Sequence, residues 1–295
     1  GLSVALDLLL SGGTVLDPVS GTEVRTDILI QDGRIARLGD GIEAPDGTRI
    51  YDATGKTISP GWMDMHVHFR EPGQEHKETI ATGARAAAFG GFTAVACMPN
   101  TDPPIATRDV VEFVKRRAEG LAVDVYPIGT VSKGRKGEEL AEMGDMADGG
   151  AVAFSDDGSP VMHGGLMRRA LEYARTLGRP ILGHEEDLTL NPHGVMNEGA
   201  VATRLGLPGI PGLAEEAMIA RDALLAGFTG GHVHVCHIST AQAVDIVRQA
   251  KARGVPITAE ACPHHWALTD SAVETSGYDT HTKMHPPLRT AADVQ

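Results

Sequence analysis

The sequence predicts an α/β protein, a (β/α)8 barrel of the TIM type with a small β-sandwich-like module in front of it. Three observations carry that expectation. From residue 58 onward, seven short apolar runs alternate with longer helix-like stretches. Ionisable residues gather at the C-terminal ends of those runs. Residues 1–57 show a different pattern, made only of strand-like segments.

The front module comes first. LDLLLSGGTVLD and TDILIQDGRIARLG alternate apolar and polar residues, the period of a half-buried strand. Asp32-Gly33 interrupts the second run as a two-residue hairpin signal, because both positions of that turn need positive φ. Residues 1–57 are therefore assigned to the β module and residues 58–295 to the barrel.

The barrel strands follow in order: ISPGWMDMHVHF, FTAVACMP, AVDVYPIG, GAVAFS, PILGHE, HVHVCHIS and VPITAEAC. Between them HKETIATGARAAAFG, TRDVVEFVKRRAEG, GGLMRRALEYARTLG, LAEEAMIARDALLAG and TAQAVDIVRQAKARG have helical spacing, several ending in a capping Gly. Such alternation means parallel strands joined by crossover helices. A doubly wound open sheet fits alternation alone. The polar strand ends favour a barrel, since barrel enzymes place their chemistry there. A closed barrel needs eight strands, and the sequence reaches Gln295 with seven, so the eighth is expected outside it.

Composition narrows the function. The chain has 295 residues, 42% hydrophobic and 22% charged, enough to bury a large core. A net charge of -13 and only 4% aromatic residues argue against a nucleic-acid partner or an acidic membrane surface. Cys97, Cys236 and Cys262 match no zinc-ribbon or redox spacing and read as free thiols of a reducing compartment. No apolar run reaches the ~18 residues of a membrane helix. The start carries Asp7 and no basic segment, unlike a signal peptide. The expected location is the cytoplasm.

The sharpest local signal is His66-Val67-His68 at the end of the first barrel strand. Residues i and i+2 of a strand face one side, so two imidazoles converge on the barrel mouth, an arrangement suited to a divalent metal. Alone, an HxH pair is as compatible with a structural role. The fourth strand ends in Ser155-Asp156-Asp157-Gly158, the fifth in Gly183-His184-Glu185 and the sixth in Cys236-His237. Four strands thus bring imidazole or carboxylate to one rim, the ligand types zinc and its neighbours accept. Residue chemistry does not separate Asp156 from Asp157. By strand parity His232 and His234 should oppose His237 and face the helix layer in structural roles. His264 and His265 fit either packing or the orienting of ligands. Arg70, two residues past His68, suits a bidentate grip on a substrate carboxylate. Asn100, in a loop stiffened by Pro99, Pro103 and Pro104, offers a neutral amide to the same ligand.

Taken together, PGWMDMHVHFREPGQEHKE, GGFTAVACMPNTDPP, AFSDDGSPV, GHEED, HVHVCHIST and KMHPPLR resemble bacterial dihydroorotases of the larger, amidohydrolase-superfamily class. The likeness runs from about Leu6 onward, with six motifs in order. It implies a zinc centre of one or two ions at the barrel mouth. His66 and His68 match ligands of the first ion, Asp157 the bridging position that related hydantoinases fill with a carboxylated lysine, and His184 and His237 ligands of the second. His68, Arg70, Asn100 and His285 match substrate contacts. The implied reaction is the reversible interconversion of N-carbamoyl-L-aspartate and L-dihydroorotate in pyrimidine synthesis. The likeness also implies a homo-oligomer, with aspartate transcarbamoylase as a candidate partner.

Two departures stand out. The family's proton-shuttling Asp at the end of the eighth strand is expected beyond Gln295, so no catalytic residue is assigned within the sequence. His285 stands in MHPPLR where the family commonly has Asn. Among rivals, a hydantoinase would need a lysine in AFSDDG, and an allantoinase a different residue at Arg70. A non-catalytic scaffold for aspartate transcarbamoylase would need no metal ligands.

Overall fold

The structure, a computed structural model, describes residues 7–190 and 193–295. It divides into two compact units, with the divide between Trp62 and Met63.

In the first unit, β1 (Leu8–Asp17), β2 (Thr22–Gln31) and β3 (Arg34–Gly39) form an antiparallel meander, and β4 (Arg49–Asp52) and β5 (Thr57–Ile58) run parallel to β1. Asp32 and Gly33 make the expected tight turn, with φ of 50° and 73° and Gln31 paired to Arg34. Leu9, Leu29 and Ile42 form a small core under this sheet. Asp27 ties it together, accepting hydrogen bonds from Gly12 N (2.8 Å), Ile42 N (3.1 Å) and Ser11 Oγ (3.2 Å).

The second unit is the α/β layer structure the alternation predicts. Its strands are β6 (Trp62–Val67), β7 (Phe92–Cys97), β8 (Asp124–Pro127), β9 (Phe154–Ser155) and β10 (Ile181–Gly183), then, after a two-stranded excursion of β11 (Met196–Asn197) and β12 (Gly209–Ile210), β13 (Val233–Val235) and β14 (Ile257–Ala259). Sheet order follows chain order, β6-β7-β8 and β9-β10-β13-β14, and a parallel bridge from Gly129 to Phe154 joins the two runs. All seven sequence-predicted barrel strands are present. The crossover helices are α1 (Ile80–Phe89), α2 (Arg108–Ala118), α3 (Met143–Gly149), α4 (Gly164–Thr176), α5 (Ala200–Leu205), α6 (Gly212–Thr229) and α7 (Ala241–Ala252). A short α8 (Pro263–Ala267) follows β14. The pattern places the end of α6 at Gly227. The helix instead runs on to Thr229, and Gly230, with φ of 69°, caps it.

Two apolar layers hold this unit. Between strands and helices lie Val95, Val125, Phe154, Ile181, Val233, Val235 and Ile257 against Ile80, Val111, Met167, Ile219 and Val247. Inside the sheet curve lies a second, smaller apolar cluster of Ala96, Met98, Ile128, Ala153, Leu182 and Cys236. Inner positions filled this way make a packed barrel core with the chemistry left to one end. No helix among the described residues is long and apolar enough to cross a membrane.

Candidate metal centre and active site

The loop leaving β6 carries the first pair of imidazoles. Phe69 anchors it by packing on α1 at Gly83, where an added Cβ would lie 2.3 Å from the Phe69 ring. The buried Glu71 carboxylate accepts from Ile80 N at the start of α1 (2.8 Å) and from Arg117 Nε of α2 (2.7 Å). Gly73 then crosses the Asn100 loop so closely that a Cβ there would sit 1.8 Å from Asp102 O, and its φ is +94°. Gly73→Ala should therefore cost about 2–3 kcal/mol from strain and overlap. Urea unfolding measures it, and a loss below about 0.5 kcal/mol, the range of neutral surface changes, would deny that these loops interlock.

His66 and His68 stand with ring centroids 5.2 Å apart. Each is held from behind through Nδ1: His66 by Glu260 Oε1 at 2.5 Å, His68 by Asn100 Oδ1 at 2.9 Å. Each turns Nε2 toward Asp157, His66 to Oδ1 at 3.6 Å and His68 to Oδ2 at 3.5 Å. His184 and His237 approach from the other side, with His184 Nδ1 3.5 Å and His237 Nε2 3.7 Å from Asp157 Oδ1. Four imidazoles from three strand ends thus face one buried carboxylate.

The two aspartates that residue chemistry leaves equal have different surroundings. Asp156 is saturated by the loop after β8, accepting from Val131 N (2.9 Å), Ser132 N (3.1 Å) and the Ser132 hydroxyl. Asp157 Oδ1 is buried and makes no hydrogen bond with another described residue, and neither does His237 Nδ1. Separations of 3.5–3.7 Å are too long for hydrogen bonds. They suit ligands sharing an ion, since two donors each ~2.0–2.2 Å from a tetrahedral zinc stand roughly 3.4 Å apart. The residues divide into two possible ligand sets, His66–His68–Asp157 and Asp157–His184–His237, which share Asp157.

The electrostatics favour positive charge beside Asp157. Burial disfavours the Asp157 carboxylate, but the nearby imidazoles of His184, His237 and His66 outweigh it and hold the group far below the usual range. Burial likewise opposes charge on His66, yet Asp157 and Glu260 push it up to about 10. His184, beside Asp157 and Glu186, is pushed up to about 9. Burial keeps His68 and His237 low and neutral, the form that ligates.

These groups open into a cleft of about 520 Å³ whose rim includes Arg70, Asn100, Glu186 and His285. Arg70 has φ of 60°, and its guanidinium makes no hydrogen bond or ion pair with another described residue. Asn100 spends its carbonyl on His68, leaving its amide for the cleft. His285 is nearly half exposed, with Nδ1 3.5 Å from Glu186 Oε1.

Two expectations need correcting. His232 and His234 do not face the helix layer. Val233 and Val235 do, and His234 points into the barrel, 3.2 Å from Glu260. Parity misleads because His237 lies past the end of β13 with φ of 37°, where strand alternation no longer holds. Glu185 does not join the rim. It turns back into the protein beside Asp222, where burial and that second carboxylate raise its pKa and favour the neutral acid. Glu186 lines the cleft in its place. The sequence patterns single out neither Glu186 nor Glu260. The second carboxylate of GHEED and the one glutamate of VPITAEAC are the available signals. Among the unassigned histidines, His265 is buried and bonds Pro286 O through Nε2 at 2.9 Å.

Comparison with known proteins gives the family. The Dihydro-orotase-like family model matches residues 55–243. The chain belongs to the dihydroorotase-like family. A protein of Pelotomaculum thermopropionicum named dihydroorotase is 58% identical over 98% of this chain and 67% of its own length. One of Citrifermentans bemidjiense with the same name is 53% identical over 98% of this chain and 68% of its own. The L-hydantoinase (dihydropyrimidinase) of Arthrobacter aurescens superposes with a TM-score of 0.83 at 25% identity, over 98% of this chain and 65% of that one. The D-hydantoinase of Thermus sp. gives 0.74 at 28% identity, over 97% and 64%. The dihydroorotase-like chain thus spans about two thirds of the length of the proteins it resembles, with the fold of a cyclic amidohydrolase barrel. Membership of this amidohydrolase family implies a divalent metal, and the imidazole and carboxylate cluster is a donor set that fits one.

Proposed function

We propose that this chain carries the catalytic metal centre of a dihydroorotase, which interconverts L-dihydroorotate and N-carbamoyl-L-aspartate. The observation that carries the reading is the position of Asp157, within 3.5–3.7 Å of a nitrogen from each of His66, His68, His184 and His237. His66 and His68 would hold one zinc ion, His184 and His237 a second, and Asp157 would bridge them. When bound, such ions supply an activated water near neutral pH and polarise a carbonyl oxygen. The protein's own groups do the rest. Arg70 receives the exocyclic carboxylate, and the Asn100 amide and His285 hold the rest of that end. With the carboxylate fixed at the rim, the ring amide is directed toward the imidazole cluster.

Asp157 also favours this reading over a hydantoinase, whose carboxylated lysine has no counterpart in AFSDDG. The 58% identity to a protein named dihydroorotase supports the same substrate. The organisation we propose is a small β module followed by the hydrolase barrel. Its setting is cytoplasmic, in keeping with three free cysteines. A homo-oligomer, with aspartate transcarbamoylase as a further partner, completes the proposal.

The test is dihydroorotate hydrolysis at alkaline pH by zinc-loaded protein and by the same protein after chelation. Turnover should vanish with the metal and return on adding zinc. Faster turnover of hydantoin or allantoin would replace the substrate assignment. Bound zinc without any turnover would favour the scaffold.

A further inference from the structure

Behind the imidazole cluster, inside the barrel, runs a line of polar side chains that the reaction as described does not use. Glu260, one residue past β14, places Oε1 2.5 Å from His66 Nδ1 and Oε2 3.2 Å from His234 Nε2. His234 Nδ1 lies 2.8 Å from Thr258 Oγ1, and the same hydroxyl lies 2.8 Å from His232 Nε2. His234 is 3% exposed, within a barrel whose other inner residues include Ala96, Leu182 and Cys236. Burying the His234 imidazole beside a half-buried carboxylate, where apolar groups would pack, costs stability, so this line calls for a reason beyond packing.

We infer that Glu260 is a positioning residue for the metal ligand His66, braced by the series His234–Thr258–His232. The inference rests on the metal-centre reading of His66. An ionised carboxylate only accepts hydrogen bonds, so His66 Nδ1 and His234 Nε2 both carry protons. With its proton on Nδ1, His66 has a lone pair on Nε2, the atom that faces Asp157 at 3.6 Å. His234, protonated on Nε2, accepts at Nδ1, so the Thr258 hydroxyl donates to it. The remaining lone pair of that hydroxyl then receives the proton of His232 Nε2. One carboxylate thereby sets the tautomers of three histidines, and every donor in the series points toward it. A carboxylate behind a ligating imidazole fixes the ring and raises its basicity. The Asn100 carbonyl does the first of these for His68 without a charge.

The test is competition for zinc between a chromophoric chelator and the protein, alongside thermal unfolding of the metal-free forms. Glu260→Gln keeps the shape but removes the charge and can accept from only one of the two imidazoles. Its zinc affinity should fall about 10- to 100-fold, the usual effect of losing such a partner. Its metal-free melting temperature should stay near that of the wild type, and Glu260→Asp should recover part of the affinity. A purely structural Glu260 would instead lower the melting temperature and leave zinc affinity alone, which overturns the inference. Should Glu260→Gln not fold, Thr258→Val removes only the bracing hydroxyl. A severalfold loss of zinc affinity there supports the series, and an unchanged affinity refutes it. Wild-type protein that binds no zinc would remove the metal-centre reading itself, whereas tight wild-type binding with unaffected variants removes only the role of Glu260.

Discussion

Alanine at His184 or His237 should lower the bound metal by about one equivalent and reduce dihydroorotate turnover by more than about 100-fold, a larger loss than follows from changing an outer-shell partner. Both histidines are buried beside Asp157, and together with it they make one of the two ligand sets. Removing either leaves that set with two protein donors, too few to hold a catalytic zinc, which normally has three. The loss reaches further, because Asp157 also serves His66 and His68. A buried carboxylate stripped of a partner is costly, so some loss of fold stability should accompany the loss of metal. Metal analysis on desalted protein, read with steady-state kinetics, decides the matter. Full metal content in both variants would mean that the centre lies elsewhere.

Arg70→Met should behave differently. Its metal content should match the wild type, while KM for dihydroorotate rises about 10- to 100-fold, the usual worth of a charge-assisted hydrogen bond lost at a binding site. The guanidinium stands on the cleft rim without a partner among the described residues, at a left-handed backbone position held by Phe69, Glu71 and Gly73 on either side. A non-glycine residue kept at φ of 60° is a mild strain of the kind found where a side chain must be aimed. Methionine retains length and packing but neither charge nor donors. An unchanged KM with metal retained would take Arg70 out of carboxylate recognition.

Much of this was legible in the residues because it follows from local periodicity. Seven strand-like runs appear as seven strands in chain order, since parallel strands with crossover helices leave few topologies open. The Asp32-Gly33 turn was readable because few residue pairs tolerate two consecutive positive φ angles. The rim histidines were readable because strand ends of a barrel converge. The single step from His66 to His68 needs no knowledge of the remainder of the chain.

What tertiary structure alone decided concerns choices between near neighbours and contacts far apart in the chain. Asp156 and Asp157 are chemically identical. Only the backbone amides of Val131 and Ser132 absorb the first and leave the second to the histidines. Glu185 and Glu186 are separated in the same way, by whether a chain bend past β10 turns each into the protein or into the cleft. Parity failed at His237 because its backbone leaves the extended region, and no local pattern announces that. Glu260 meets His66 across 194 residues of chain. The sequence by itself determined the layers, the order of the strands and the ligand types at their ends, because those depend on spacing along the chain. The structure decided which oxygen faces which imidazole, because that depends on how the curve of the sheet brings its first and last strand ends together.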